Sequence, residues 1–133
     1  MYEQGRYRES AGAYREALAY RPEDGTLMNN LGLSLQQVAG YAAAEPLYRR
    51  ALAIWEKALD PEHPNVATVL NNLAELLRAR GDIAGAESLF RRALAICMKK
   101  LGGDHPTTRA VRKNLDSLEA ALRKEGAREK DNP

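Results

Sequence analysis

Both histidines of this 133-residue chain, His63 and His105, are followed directly by proline, in Glu62-His63-Pro64 and Asp104-His105-Pro106. Histidine beside carboxylates is the raw material of a zinc site or a proton-transfer pair. Zinc needs three or four ligands, often with two histidines one helical turn apart. Here the histidines are 42 residues apart, and in equivalent loops of stacked helices they would stand about 10 Å from each other. Asp60, Glu62 and Asp104 are near in sequence, yet no complete ligand set or base–nucleophile pair can be assembled from them. Local structure explains the pattern better. Proline is favoured in the first turn of a helix, its predecessor is pushed into extended backbone, and a polar residue there can cap the helix.

The remaining candidates are weaker. Cys97 is the single cysteine, so an internal disulfide and a cysteine-based zinc site are excluded. Its place on a helix body predicts a packing thiol rather than a nucleophile. Gly102-Gly103 is too short and isolated to cradle a phosphate. The expectation is a non-enzyme without metal or cofactor.

The histidine spacing is a repeat length. Shifted by 42 residues, positions 29–64 lie on 71–106 without a gap, and half of the aligned residues are identical. Asn29-Asn30-Leu31 falls on Asn71-Asn72-Leu73, and "RRALAI" from Arg49 falls on the same hexapeptide from Arg91. A fading third copy keeps Val111, Asn114, Leu115 and Leu118. Apolar residues recur at three and four residues in each copy, which predicts two helices per unit. Leu31, Leu35 and Val38 mark the first helix, and Ala44, Leu47, Tyr48, Ala51, Leu52 and Trp55 the second. Ala39-Gly40 and Gly81-Asp82 break the pairs, and proline or glycine ends each second helix. Glu45 with Arg49, and Glu87 with Arg91, are spaced for i,i+4 ion pairs. Arg49-Arg50 and Arg91-Arg92 belong on solvated faces, where they could also hold an acidic partner. The fold class is all-α, a solenoid of antiparallel helix pairs.

Leu31-Gly32, Tyr41, Ala44, Tyr48 and Ala51, with Leu73-Ala74, Gly81, Ala86, Phe90 and Ala93 in the next copy, resemble the tetratricopeptide repeat. That repeat usually spans about 34 residues. The 42-residue period, "LNNLA" and the "HP" before each new pair are similar to the longer form of kinesin light chains and bacterial arrays. The resemblance implies a right-handed superhelix whose first helices line a concave face that receives an extended peptide. It places Asn30, Asn72 and Asn114 at the position most used for peptide backbone. Asn29, Leu33, Gln36, Gln37, Thr68, Asn71, Glu75, Arg78, Ala110, Lys113 and Ser117 would complete the groove. Asn29 and Leu33 stand where the chaperone-tail clamp of this family has lysine and asparagine. Arg78, Arg109, Arg112 and Lys113 make one end mildly basic, compatible with the acidic peptides bound by kinesin light chains. The alternative role for each asparagine is a hydrogen bond between repeats.

These readings divide the chain into one domain, 1–125: a half-repeat at 1–22, repeats at 23–64 and 65–106, a capping helix at 107–125, and a disordered tail at 126–133. Gly5 to Pro22 reads as a second helix whose own partner is nearly all missing. Tyr7, Ala11, Tyr14 and Leu18 are therefore expected to have an uncovered side, each side chain gaining about 1.5–3 kcal/mol on burial. Either the chain is excised from a longer array, which is the favoured expectation, or this edge forms a homodimer. Asp116 and Glu119 replace Ala74 and Leu77 in the last helix, so its outer face is expected to meet water.

A net charge of +2, 29% charged residues and 44% hydrophobic residues suit a soluble globular chain. No basic stretch with interleaved aromatics calls for nucleic acid, and no apolar run of about 18 residues or signal sequence calls for a membrane. The expectation is a cytoplasmic interaction scaffold that binds a protein or peptide.

Overall fold

The computed structural model describes residues 2–21, 24–37 and 40–131. These form helices α1 (Tyr2–Tyr20), α2 (Gly25–Gln37), α3 (Tyr41–Ala58), α4 (Pro64–Ala79), α5 (Ile83–Lys100) and α6 (Pro106–Asp131), with no strand among them. Each helix packs on the next in sequence, and α2 also touches α4. Two antiparallel pairs, α2–α3 and α4–α5, follow α1 and precede α6. The result is the expected right-handed α-solenoid. Val38 and the Ala39 half of the first break lie outside the described residues.

The helix boundaries follow local chemistry. His63 has extended backbone (φ −66°, ψ 140°), and its Nδ1 accepts the Asn65 N–H at 3.0 Å, with Pro64 opening α4. His105 repeats this towards Thr107 N–H at 3.1 Å before Pro106 opens α6. Asp24 and Asp82 cap α2 and α5, accepting from Leu27 N and Gly85 N, both at 3.0 Å. Gly81 adopts φ 92° between α4 and α5, the left-handed turn that glycine reaches without Cβ strain. The spaced pairs also form, Arg49–Glu45 at 3.1 Å and Arg91–Glu87 at 3.8 Å.

Small residues set how closely the helices approach. Ala44, Ala51, Ala74, Ala86 and Ala93 are fully buried at the helix crossings, with Tyr48 and Phe90 beside them. At Gly32 a Cβ would come within 2.6 Å of the Tyr48 ring, so only glycine lets α3 pack at this distance. One core cluster joins α1–α5, with Ala86 and Phe90 on α5, and reaches Leu115 and Leu118 on α6. A second, around Val66, Leu70, Ala93, Cys97 and Val111, joins α4, α5 and α6. Trp55 packs against both.

Expectations change at both ends. Ala11 is only 2% exposed and belongs to the core, while Tyr14 and Leu18 pack partly against it. The α1 stripe is thus largely covered by α2, and of the four residues assigned to self-association only Tyr7 remains open. At the other end α6 continues to Asp131 instead of stopping at 125. Glu, Ala, Arg and Lys dominate this stretch and are good helix formers, so the single Gly126, costing about 1 kcal/mol, does not end it. Asp116 stays exposed as expected, whereas Glu119 is half-buried and turns towards α5, pairing with Arg91 at 3.6 Å instead of facing water.

Candidate functional site

The first helices α2, α4 and α6 are joined side by side by asparagines. Asn72 Nδ2 donates to Asn29 Oδ1 at 2.9 Å, a buried bond between α4 and α2. One repeat further on, Asn114 Nδ2 donates to Asn71 Oδ1 at 3.1 Å and to Glu75 Oε1 at 2.9 Å. Arg78 Nη1 reaches Ser117 Oγ at 3.3 Å further along the same two helices. Tyr48 links a second helix to this row by donating to Gln36 Oε1 at 2.8 Å.

The electrostatics follow from partial burial. Glu75 has its carboxyl held above the ordinary value by desolvation, with the Asn114 amide opposing. Burial, and secondarily the Glu75 charge, push the Tyr48 hydroxyl upward, so it stays a neutral donor.

This geometry separates the expected groove residues. Asn29 and Asn72 are buried and bonded to each other; their placement as peptide contacts is corrected to a seam between repeats. Burial between two helices makes an unpaired amide costly, and each amide satisfies the other. Asn71 and Asn114 are half-buried and take part in the next rung. Asn30 and Leu33 are half-buried, and Asn30 makes no side-chain hydrogen bond among the described residues. Gln37, Thr68, Glu75, Ala110, Lys113 and Ser117 are exposed, with Gln36 and Arg78 half-buried. An amide presents both a donor and an acceptor, so this face can bond extended backbone without reading its sequence. The exposed Arg109, Lys113 and Asp116 and the half-buried Arg112 line a shallow depression on α6.

The histidines and Cys97 do not assemble into a site. Among the described residues no three His, Cys, Asp or Glu side chains come together as a metal would require. Cys97 is buried and free, and burial raises its thiol pKa despite the Thr108 hydroxyl nearby. A neutral thiol is a poor nucleophile. Thr108 Oγ1, fully buried behind it, has no conventional protein hydrogen-bond partner among the described residues; the sequence carries no signal of this.

A sequence profile of the tetratricopeptide repeat matches residues 23–99 and 67–127. The chain belongs to the tetratricopeptide repeat family. Its repeats superpose on the nearly identical TPR-like repeats of a putative kinesin light chain from Podosopora anserina with TM-score 0.79, at 25% identity, over 88% of this chain and 60% of that one. The chain therefore spans about three-fifths of that solved array. The first TPR of Spaghetti (RPAP3) bound to an HSP90 peptide shares the fold with TM-score 0.68 at 16% identity, covering 91% of this chain and 83% of that one. The Yersinia enterocolitica secretion chaperone SycD, in complex with a peptide of the translocator YopD, does so with TM-score 0.70 at 21% identity, covering 91% and 86%. No curated protein matches the sequence.

Proposed function

We propose that the chain is a non-catalytic scaffold that binds an extended segment of another protein across α2, α4 and α6. The amides of Asn30 and Gln37 carry the reading, because they lie at least partly open on α2 and make no side-chain hydrogen bond among the described residues, which leaves them able to bond a peptide backbone. Asn30, Leu33, Gln36, Gln37, Thr68, Glu75, Arg78, Lys113 and Asn114 are the contacts, Asn71 and Asn114 doing so while bonded to each other. Two proteins of this fold carry bound peptides, from HSP90 and from YopD, which supports the same use here. The partner is a protein in the cytoplasm, not nucleic acid or a membrane; no described helix is long and apolar enough to cross one. No cofactor enters this reading.

Selection from a displayed random-peptide library tests it. Enriched peptides are expected to bind wild type and to lose binding to the Asn30→Ala, Gln37→Ala variant. Undiminished binding to a folded variant would count against the reading.

A second reading is self-association through α1. Tyr7 and Tyr20 are 36% and 88% exposed on this helix, and such aromatic surface favours a partner. Sedimentation equilibrium distinguishes the two: a dimer abolished by Tyr7→Glu with Tyr20→Glu supports it, and a monomer at all concentrations removes it.

A further inference from the structure

Glu75 carries a charge that the fold does not use. Glu45, Glu56, Glu62, Glu87 and Glu119 each pair with an arginine or lysine at 2.6 to 3.8 Å. Glu75, on α4, has no cationic partner among the described residues. Its Oε1 accepts from the Asn114 amide at 2.9 Å, and its Oε2 accepts no hydrogen bond from a described residue. Arg78 lies one turn along the same helix but reaches across to Ser117 Oγ at 3.3 Å. Lys113, next to Asn114 on α6, is exposed and also forms no ion pair with a described residue.

The seam between α4 and α6 asks only for an acceptor at this position, and a glutamine would supply one without a charge. Partial desolvation raises the carboxyl pKa, with the Asn114 bond opposing. Folding thus works against the charge, a pattern common where a group is kept for a ligand. The equivalent positions give the site its neighbours. Leu33 stands 42 residues earlier on α2, and Ser117 stands 42 later on α6. Leu33 is half-buried and packs on the core, while Ser117 is engaged by Arg78. The face therefore offers an apolar contact, then an anion, then a filled rung. Adjacent packed helices stand about 10 Å apart, a distance that an extended chain covers in about three residues.

We propose that Glu75 reads a single basic side chain, lysine or arginine, in the extended partner segment, with an apolar residue about three positions away resting on Leu33. The assignment rests on peptide binding across α2, α4 and α6 and adds the chemistry of the occupant. Glu75 is already partly withdrawn from water and held by Asn114, so a cation on Oε2 gains attraction with little further desolvation of the carboxylate. Arg78 and Lys113 stand nearby on α4 and α6. A run of basic residues meets repulsion from them, which selects one cation over a cluster.

Selection from a displayed random-peptide library on immobilised wild type, Glu75→Gln and Glu75→Lys tests the assignment. Wild type should enrich lysine or arginine at one position, with an apolar residue about three away. Glu75→Lys should enrich aspartate or glutamate at that position instead. Replacing the basic residue of a wild-type-selected peptide by alanine should weaken binding about tenfold to wild type, and less than about twofold to Glu75→Gln. Circular dichroism should find all the chains equally helical, since glutamine keeps the acceptor for Asn114. Selected peptides that shift amides on α2, α4 and α6 but carry no basic residue would overturn the assignment and leave the binding face standing. So would enrichment of basic runs, or peptides that bind both variants as tightly as wild type. No enrichment on any chain, or amide shifts outside these helices, would overturn both.

Discussion

Asn72 on α4 donates its side-chain amide to Asn29 on α2 at 2.9 Å, across a gap of 43 residues that is one more than the repeat length. Asn114 and Asn71 form the next rung with the same offset. Each unit thus offers one asparagine as acceptor to the following unit and its neighbour as donor to the preceding one. At α6 Lys113 stands in the register of the acceptors Asn29 and Asn71. A buried bond of this kind contributes about 1 kcal/mol, and leaving one partner unpaired costs about 1–3 kcal/mol. Asn29→Ala and Asn72→Ala should each lower unfolding free energy by that amount in urea titrations. The double variant should lose less than the sum of the singles, and strict additivity would show that the two amides do not cooperate.

Gly32 and Ala74 are equivalent positions with different tolerances. A Cβ at Gly32 would meet the buried Tyr48 ring at 2.6 Å. Gly32→Ala gains about 1 kcal/mol of helix propensity but overpacks the crossing by about 1–3 kcal/mol. A net loss of stability in thermal melts is expected, whereas Ala74→Gly loses about 1 kcal/mol or more for the opposite reason, a missing methyl and a more flexible helix. A stabilising Gly32→Ala would mean that α3 can move away freely.

Much of this architecture was legible in the sequence because the repeat punctuates itself. The histidine–proline pairs, the alanines at the crossings and the Glu45–Arg49 pair all stand where spacing put them. The asparagines were legible as a stripe but not as a seam. Asn29 and Asn30 are adjacent, about 100° apart on a helix, and which of them faces the neighbouring helix depends on the tilt between repeats. That tilt is set by side-chain packing between units, where Leu31, Leu35 and Tyr48 share a core with Val69 and Leu73. Ala11 was misplaced for a related reason. One repeat pattern cannot say which side of α1 meets α2 when its own partner helix is missing.

His63 works as a helix cap through Nδ1, so its loss should be structural. His63→Ala is expected to cost about 0.5–2 kcal/mol in urea unfolding, with His63→Asn recovering much of it. Zinc or a chelator should leave the unfolding midpoint where it is. A large zinc-dependent rise that His63→Ala removes would restore the metal reading.

Glu75 gives a pH dependence with a definite sign. The residue as a whole is exposed, but partial desolvation of its carboxyl raises the pKa from the ordinary value of 4.5, with the hydrogen bond from Asn114 opposing. The protonated form is favoured by folding, so this contribution is fully present below the unfolded value and is lost as pH rises through the raised one. Glu75→Gln, which keeps an acceptor for Asn114, should therefore raise stability at neutral pH and make little difference below about pH 4. Chemical denaturation across that range checks it, and a benefit that grows in acid would reverse the assignment.

The central claim is that an extended segment lies along α2, α4 and α6, and its most direct measurement is the amide-shift map of the 15N-labelled chain with a library-selected peptide. Shifts running from Asn30 and Gln37 through Thr68 and Glu75 to Lys113, abolished by Asn30→Ala with Gln37→Ala, are the expected result. A selected peptide whose shifts fall on α3 and α5 alone, unchanged in that variant, would contradict it.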